Sequence, residues 1–497
     1  MKSFSRITRT FIFGLLLGLM PTIAQTKTEI YQGLPITTNS QQAYDYYIIG
    51  QKLLDQGNNV AAQKIFKKAL DHDPSFSAGW LGFAKASSSA KEFQQGIDRA
   101  SMNIKNSSDA ENIQFEIAKT YLNNNLEKRS KLSKKLVKNY PNSPRAWLIN
   151  GNVLGSMNHQ TDQRKSYTKS IQLDETFTPA YTQMGFSYIF NRPTDFVKGE
   201  KFMLKAKKLD PASESAHVNL GDAHRATQSL GKASNDYETA SLINPNSAVA
   251  FVKKGHVDSF MGDFKSAKKA YQQALKVSDD ISRPYYANYE TFIDIHASRP
   301  QKAIDNLNVV ITDIDKMELA DHQKNSAKLF ALTNQVTIAL HHNLVDQAKT
   351  ILGKRESLVR KISANLNDKD FTRNQDADIA FWKGQLAVRM GDFKTAHQYA
   401  DENSKLVKAN NSPRKMEQYH ELEGLIGLLS EKFDTAKLHY SKANKNSVYV
   451  KYHLALVTEL SGDEKNAKRM FKEVAQFNFN SVEFALVRKD ALRRSNI

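Results

Sequence analysis

One set of residues recurs at a fixed offset of 34 between Glu214 and Lys276: Gly221 returns as Gly255, Ala233 as Ala267, Tyr237 as Tyr271 and Ala240 as Ala274. A period of this kind marks a supersecondary unit written more than once. A glycine inside a helix costs about 1 kcal/mol relative to alanine, so one held at the same phase implies packing that offsets the cost, most simply the close approach of a neighbouring helix. The alanines serve the same crossing. Tyr237 and Tyr271 are expected to fill the space between successive units. Pro245 suits the first turn of the following helix, where its missing N–H has no partner to lose. A unit this small cannot bury its apolar face alone, so it belongs to an array.

A small residue in mid-helix, an alanine after a turn, an aromatic four residues on and another alanine three later resemble the tetratricopeptide repeat. The resemblance implies an all-α fold, a solenoid that winds as a right-handed superhelix of antiparallel helix pairs and ends in a C-terminal capping helix. The usual work of such solenoids is to hold other proteins. The phase begins at Ala43, where Gly50, Gly57, Ala62, Phe66, Ala69 and Pro74 make a strong first repeat. It continues through degenerate copies near Trp80 and Ala118. Clearer copies carry Trp147, Gly151 and Tyr167, and then Tyr181, Gly185 and Tyr188, with about two extra residues around Asn191 to Asp195. After the central pair the spacing rises. The segments Ile311 to Ser326 and Gly353 to Asp376 are charged and mostly free of Gly and Pro, which predicts lengthened or extra helices. The phase returns at Gly384, where Met390-Gly391-Asp392-Phe393-Lys394 repeats Met261-Gly262-Asp263-Phe264-Lys265. In both copies the glycine suits a left-handed helix end and the aspartate a helix cap.

This reading divides the chain into a signal peptide (1–24), a flexible lead-in (25–42), a regular array (43–283), an irregular helical segment (284–376), a second array (377–480) and a capping helix (481–497), with about twelve repeats in all. Lys2, Arg6 and Arg9 precede the apolar run Phe11 to Met20, and Thr22-Ile23-Ala24 offers small residues for cleavage. The run falls short of the roughly 20 residues a spanning helix needs, and no second stretch of that length follows. With no cysteine in the chain, disulfides and a lipoprotein anchor are excluded. That fits an exported protein of a bacterial envelope, periplasmic or secreted, without a transmembrane segment after cleavage.

Catalytic chemistry is nearly absent from the sequence. There is no thiol, no cysteine zinc site, no G-x-S-x-G elbow and no phosphate-cradling glycine loop. His420-Glu421 lacks the second histidine of a zincin helix, His341 and His342 cannot share a helix face, and the pair His217 and His224 supplies only two ligands. The expectation is therefore a non-enzyme without metal or cofactor. The formal charge of +18 falls by three, to +15, when the leader is removed. Such a surface attracts acidic partners at long range, and clusters include Lys128-Arg129, Lys131, Lys134-Lys135 and Lys138. An export signal disfavours nucleic acid as the natural ligand.

Two functions follow from this. The first is an exported scaffold that binds a protein or peptide in its concave groove. The second is electrostatic binding of an acidic protein or an anionic envelope polymer. In the family that the chain resembles, first helices line the concave face, and the spacing i, i+4, i+7 puts side chains on one stripe. That stripe carries Tyr47, Gln51, Asn152, Phe186, Asp222, Arg225, His256, Phe381 and Gln385. Aromatic and arginine side chains dominate binding energy, which singles out Tyr47, Phe186, Arg225 and Phe381. The carboxylate clamp of chaperone-binding relatives needs a Lys, Arg and Asn set that Asn152 and Arg225 alone do not complete.

The leader yields the first prediction. Mass spectrometry of the protein from its native host should find Gln25 at the N-terminus, free or cyclised. An intact Met1 on membrane-bound material would establish an anchor instead.

Overall fold

The computed structural model describes residues 27–495 apart from 88, 123–124, 192, 367 and 411–413. The expected leader lies outside the described residues. Among the described residues twelve helix pairs follow one another. The first are α1 (Gln41–Asp55) with α2 (Asn59–His72), α3 (Ser77–Ala86) with α4 (Ala90–Asn103), and α5 (Asp109–Lys119) with α6 (Leu126–Asn139). Next come α7 (Pro144–Ser156) with α8 (Gln160–Leu173), α9 (Thr178–Phe190) with α10 (Phe196–Leu209), α11 (Glu214–Ala226) with α12 (Leu230–Ile243), and α13 (Ala248–Met261) with α14 (Phe264–Val277). The stretch with a rising period is α15 (Arg283–His296) with α16 (Pro300–Lys316), α17 (Asp321–His341) with α18 (Val345–Leu366), and α19 (Lys369–Arg389) with α20 (Phe393–Val407). Here α17, α18 and α19 reach 21, 22 and 21 residues, so the extra sequence lengthens existing helices. The last pairs are α21 (Glu417–Leu429) with α22 (Phe433–Tyr440) and α23 (Val448–Leu460) with α24 (Glu464–Ala475), and α25 (Val482–Ser495) is the last helix described. The contacts divide the chain into two compact units, one of residues up to Gln51 with Val60–Leu136, the other of Lys52–Asn59 with Val137 onward.

The first unit corrects the expected flexible lead-in. Lys27–Tyr31 (β1) and Leu34–Thr38 (β2) form an antiparallel hairpin. Its two-residue turn holds Gln32 and Gly33 at positive φ, 53° and 78°, the twist that tight hairpins favour. Leu34, Ile36 and Thr38 alternate inward. Glu111, the N3 member of a capping box with Ser108, also accepts the Thr37 backbone N–H, and the Thr38 hydroxyl donates to Asp73 at 2.7 Å. Gly33 and Pro35 thus mark a turn and a strand, and the strand signal is the period-two pattern that follows them.

Within the repeats, the recurring glycine faces the recurring aromatic sixteen residues on. A Cβ added at Gly50, Gly221, Gly255 or Gly424 would lie 2.8, 2.6, 2.7 and 2.8 Å from the ring of Phe66, Tyr237, Tyr271 and Tyr440 respectively. Tyr237 and Tyr271 are wholly buried, and Tyr237 also meets Val257 of the following first helix, so each ring closes its own pair and joins the next. The extra residues between α9 and α10 displace the register by two, and Met203 takes the aromatic's place against Gly185. Gly262 and Gly391 end their helices at φ 81° and 77°, and Asp263 and Asp392 accept the backbone N–H groups of Ser266 and Thr395 at 3.0 Å. Pro245 departs from expectation: it occupies the turn ahead of α13, whose N-cap is Ser247, with the Ala250 N–H donating to its hydroxyl.

Two glycines of opposite environment test this packing. Gly255→Leu should destabilise by about 1–3 kcal/mol through overpacking against Tyr271. Gly353 is exposed in α18, with no atom within 4 Å of an added Cβ, so Gly353→Ala should stabilise by about 0.5–1 kcal/mol. Thermal unfolding that ranked the two variants the other way would refute the close-crossing account.

Candidate functional site

The expected groove residues meet different fates. In the first unit Tyr47 is buried among aromatic rings, with Tyr31, Phe66 and Phe76 at centroid distances of 6.3, 5.9 and 5.4 Å, and Gln51 is buried one helical turn further on. The hairpin supplies Tyr31. Tyr47 is therefore a core ring rather than a docking anchor.

In the second unit Asp222, Arg225 and His256 are also interior. Asp222 is fully buried and accepts hydrogen bonds from the Tyr237 hydroxyl at 2.8 Å and Arg225 Nη2 at 3.1 Å, with Lys253 as a further ion-pair partner. A buried carboxylate is tolerated when donors satisfy it in this way. The chain's own C-terminal segment covers these residues. Arg225 Nε donates to Asn478 Oδ1 at 3.0 Å and Gln228 Nε2 to the Gln476 carbonyl at 2.8 Å. Asn480 Nδ2 donates to His256 Nδ1 at 3.0 Å and to the Tyr271 hydroxyl oxygen at 3.2 Å, while His296 Nε2 lies 3.3 Å from its Oδ1. Beyond Asn480, α25 packs on α24 as a cap should and also on α15, α17 and α23. Phe484 meets Phe260 edge-on at 5.1 Å, with the Arg488 guanidinium 5.6 Å from the Phe260 ring. These stripe residues lie on first helices, and the chain's own segment covers this part of the stripe. Its occupant lies more than two hundred residues away in sequence, beyond any local signal.

Of the remaining four, Asn152 and Phe186 stay accessible, whereas Phe381 and Gln385 are buried, so Phe381 is not an exposed docking anchor. Asn152 is exposed and accepts from the Tyr167 hydroxyl at 2.8 Å. Phe186 is 38% exposed on α9, its ring 4.6 Å from Phe190. Phe381 and Gln385, one turn apart on α19, line a cavity of about 280 Å³ together with Trp382, Glu417, Glu421, Tyr449 and Glu483. Sequence reasoning missed the last five, which come from four helices. The histidines raised as ligands have other partners. His224 lies between Asp236 and Glu200, His217 meets the Pro211 carbonyl, and His341 Nδ1 is 2.7 Å from the Tyr449 hydroxyl. Among the described residues no group of three or more His, Asp or Glu side chains is placed to hold a metal ion, and no helix is long and apolar enough to cross a membrane.

Burial pushes the interior histidines toward neutrality: His256 well below its ordinary value, with Arg225 and Lys253 adding to the effect, His296 to about 4 and His341 to about 3. Glu421 moves the opposite way, up to about 7, through burial and then the charges of Glu483 and Glu417. The unfolded chain takes up histidine protons below about pH 6.5 that the folded chain refuses. The histidines therefore remove stability as pH falls from 6.5 toward 4 and below, each by up to about 1.4 kcal/mol per unit. Glu421 opposes this between about pH 7 and its unfolded value. His296→Gln, which deletes one of the titrating groups, should flatten the fall in stability between pH 6.5 and 4 relative to wild type. Parallel stability–pH curves in denaturant titrations would contradict the assignment.

Residues 248–281, which span α13 and α14, match the family model described as Tetratricopeptide repeat. Over 239 residues the chain is 23% identical to anaphase-promoting complex subunit 3 of Schizosaccharomyces pombe, an alignment covering 48% of this chain and 35% of that protein. Over 150 residues it is 26% identical to anaphase-promoting complex subunit CDC16 of Saccharomyces cerevisiae, covering 30% and 18%. The chain thus spans about a third or less of the length of these curated relatives. Among solved structures it is similar to PilW, a type IV pilus biogenesis factor, at 12% identity and a TM-score of 0.36, covering 42% of this chain and 94% of that one. It is also similar to MamA, at 22% identity and a TM-score of 0.29, covering 32% and 93%. The family match falls on the repeat whose Gly255 and Tyr271 set the packing rule, and the same rule runs from Gly50 to Gly424: residues 248–281 are a tetratricopeptide repeat within a solenoid of like helix pairs.

Proposed function

We propose that this chain is an exported scaffold that holds a protein or peptide partner on the first helices of its repeats. The observation that carries this reading is the non-helical segment Gln476–Asn480, which lies on α11, α13 and α15 and is gripped there by Arg225, Gln228, His256 and His296. The face of these first helices already has donors and acceptors that hold a non-helical stretch of polypeptide. The same kind of face on α7 and α9 presents Asn152 and the Phe186–Phe190 pair to solvent, and aromatic anchors of this type supply much of the energy of protein contacts. The relatives in the two yeasts are named as subunits of a complex, which agrees with a scaffold role. Export rests on the pattern of residues 1–24 alone.

The second reading, attraction of an anionic polymer, draws on the basic run of α6. Three of its lysines have carboxylate partners: Lys128 with Glu116, Lys131 with Glu127 and Lys135 with Asp109. Local pairing lowers the field this helix can project, which favours the groove.

Cross-linking capture with the full chain from host envelope and medium fractions, followed by affinity measurement on the captured partner, tests the reading. Phe186→Ala should weaken binding about tenfold or more and leave the melting temperature unchanged. Arg225→Ala should lower the melting temperature, because it strips a donor from buried Asp222. Unchanged affinity in the Phe186 variant, with a steep salt dependence and loss on Lys131→Ala/Lys134→Ala/Lys135→Ala, would replace the groove by the polyanion reading.

A further inference from the structure

The cavity beside α19 has an uneven polar inventory. It is walled by Thr337 and Leu340 of α17, Phe381, Trp382 and Gln385 of α19, Glu417, Gln418 and Glu421 of α21, Tyr449 of α23 and Glu483 of α25, with Asn444 and Ser447 from the preceding turn. Most of its polar groups are satisfied. Gln418 Nε2 donates to Asp378, Glu417 pairs with Arg414, the Tyr449 hydroxyl meets His341, and the Ser447 hydroxyl accepts from the Val450 N–H. Three groups have no hydrogen-bond or ion-pair partner among the described residues: the Gln385 amide, only 7% exposed, and the carboxylates of Glu421 and Glu483. Gln385 is buried and the two glutamates are half-buried, and polar groups that lose hydration without gaining a partner are costly. No lysine or arginine lines the cavity, although the chain as a whole carries a charge of +18.

We propose that this cavity binds a guanidinium group. Two carboxylates and an amide oxygen offer several acceptors to a planar, five-donor cation, and a guanidinium satisfies acceptors in a fork that an ammonium cannot match. The walls suit its faces. Phe381 and Trp382 pack edge to face at 5.5 Å, and aromatic rings attract a desolvated cation. The same indole already takes a guanidinium from this chain, with Arg355 centred 5.4 Å from its ring while donating to Asp378 at 2.6 Å. Burial and the nearby carboxylates push Glu421 up to about 7, the condition of an acid that lacks a counterion. The acidic groups do not converge tightly enough to hold a metal ion.

The guanidinium has two possible sources, an arginine of a bound peptide or a free small molecule. The peptide source rests on the scaffold reading above, and the small-molecule source does not. Isothermal titration of the full chain with L-argininamide, and with its neutral isostere L-citrullinamide, tests the site. Argininamide should bind, and citrullinamide at least tenfold more weakly. Glu421→Gln and Glu483→Gln, which keep the side-chain shape, should each weaken argininamide at least tenfold with no loss of melting temperature. A tripeptide with central arginine that binds more tightly than argininamide assigns the peptide source, and equal or weaker binding assigns the small molecule. Absent heat with argininamide, equal affinity for citrullinamide, or unchanged affinity in both variants would show a water-filled cavity and overturn the proposal. Those results leave the Phe186 surface untouched. Argininamide binding together with a failure of Phe186→Ala to affect a captured partner would reject the scaffold reading and keep this site.

Discussion

The contact between a helical glycine and an aromatic ring sixteen residues later governs this chain. At Gly221 against Tyr237 and Gly255 against Tyr271 there is no room for a Cβ, so the two helices of a pair meet at a separation that only glycine allows. The ring is long enough to pass beyond its own pair, as Tyr237 does in reaching Val257. Closing a pair and joining it to the next are therefore one event. That coupling passes packing from one repeat to its neighbour without a central core. Where the register slips by two residues, Met203 substitutes for the ring, its unbranched side chain adapting to a changed gap.

A second constraint concerns the far end of the chain. The apolar residues Val482, Phe484, Val487 and Ala491 are buried in the same cluster as residues of α15, α17 and α23. The C-terminal helix is thus part of the core of its unit as well as a cover for the last repeat. The polar residues ahead of it, Asn478 and Asn480, satisfy Arg225, His256 and Tyr271. Without them these side chains would be buried polar groups with too few partners, so segment and face stabilise one another. What the segment leaves open includes Asn152 and Phe186 on the first helices α7 and α9.

The sequence by itself determined the repeat and its consequences, because the determinants lie within one repeat or between neighbouring repeats. A 34-residue period, the Gly–Tyr spacing, the Gly-Asp helix junctions at Gly262 and Gly391, and the lengthened helices around Ile311 and Gly353 are all local. The hairpin at Lys27–Thr38 was legible in principle, through its alternation after Gly33, but composition alone reads it as a linker. Tertiary structure decided which stripe residues face solvent. Arg225 and His256 have the same helical phase as Phe186, yet the segment from Gln476 to Asn480 covers them and leaves Phe186 exposed. The cavity was beyond sequence for the same reason. Glu421 and Glu483 become neighbours through the stacking of separate helix pairs, and helical periodicity fixes the side a residue faces without fixing what arrives there.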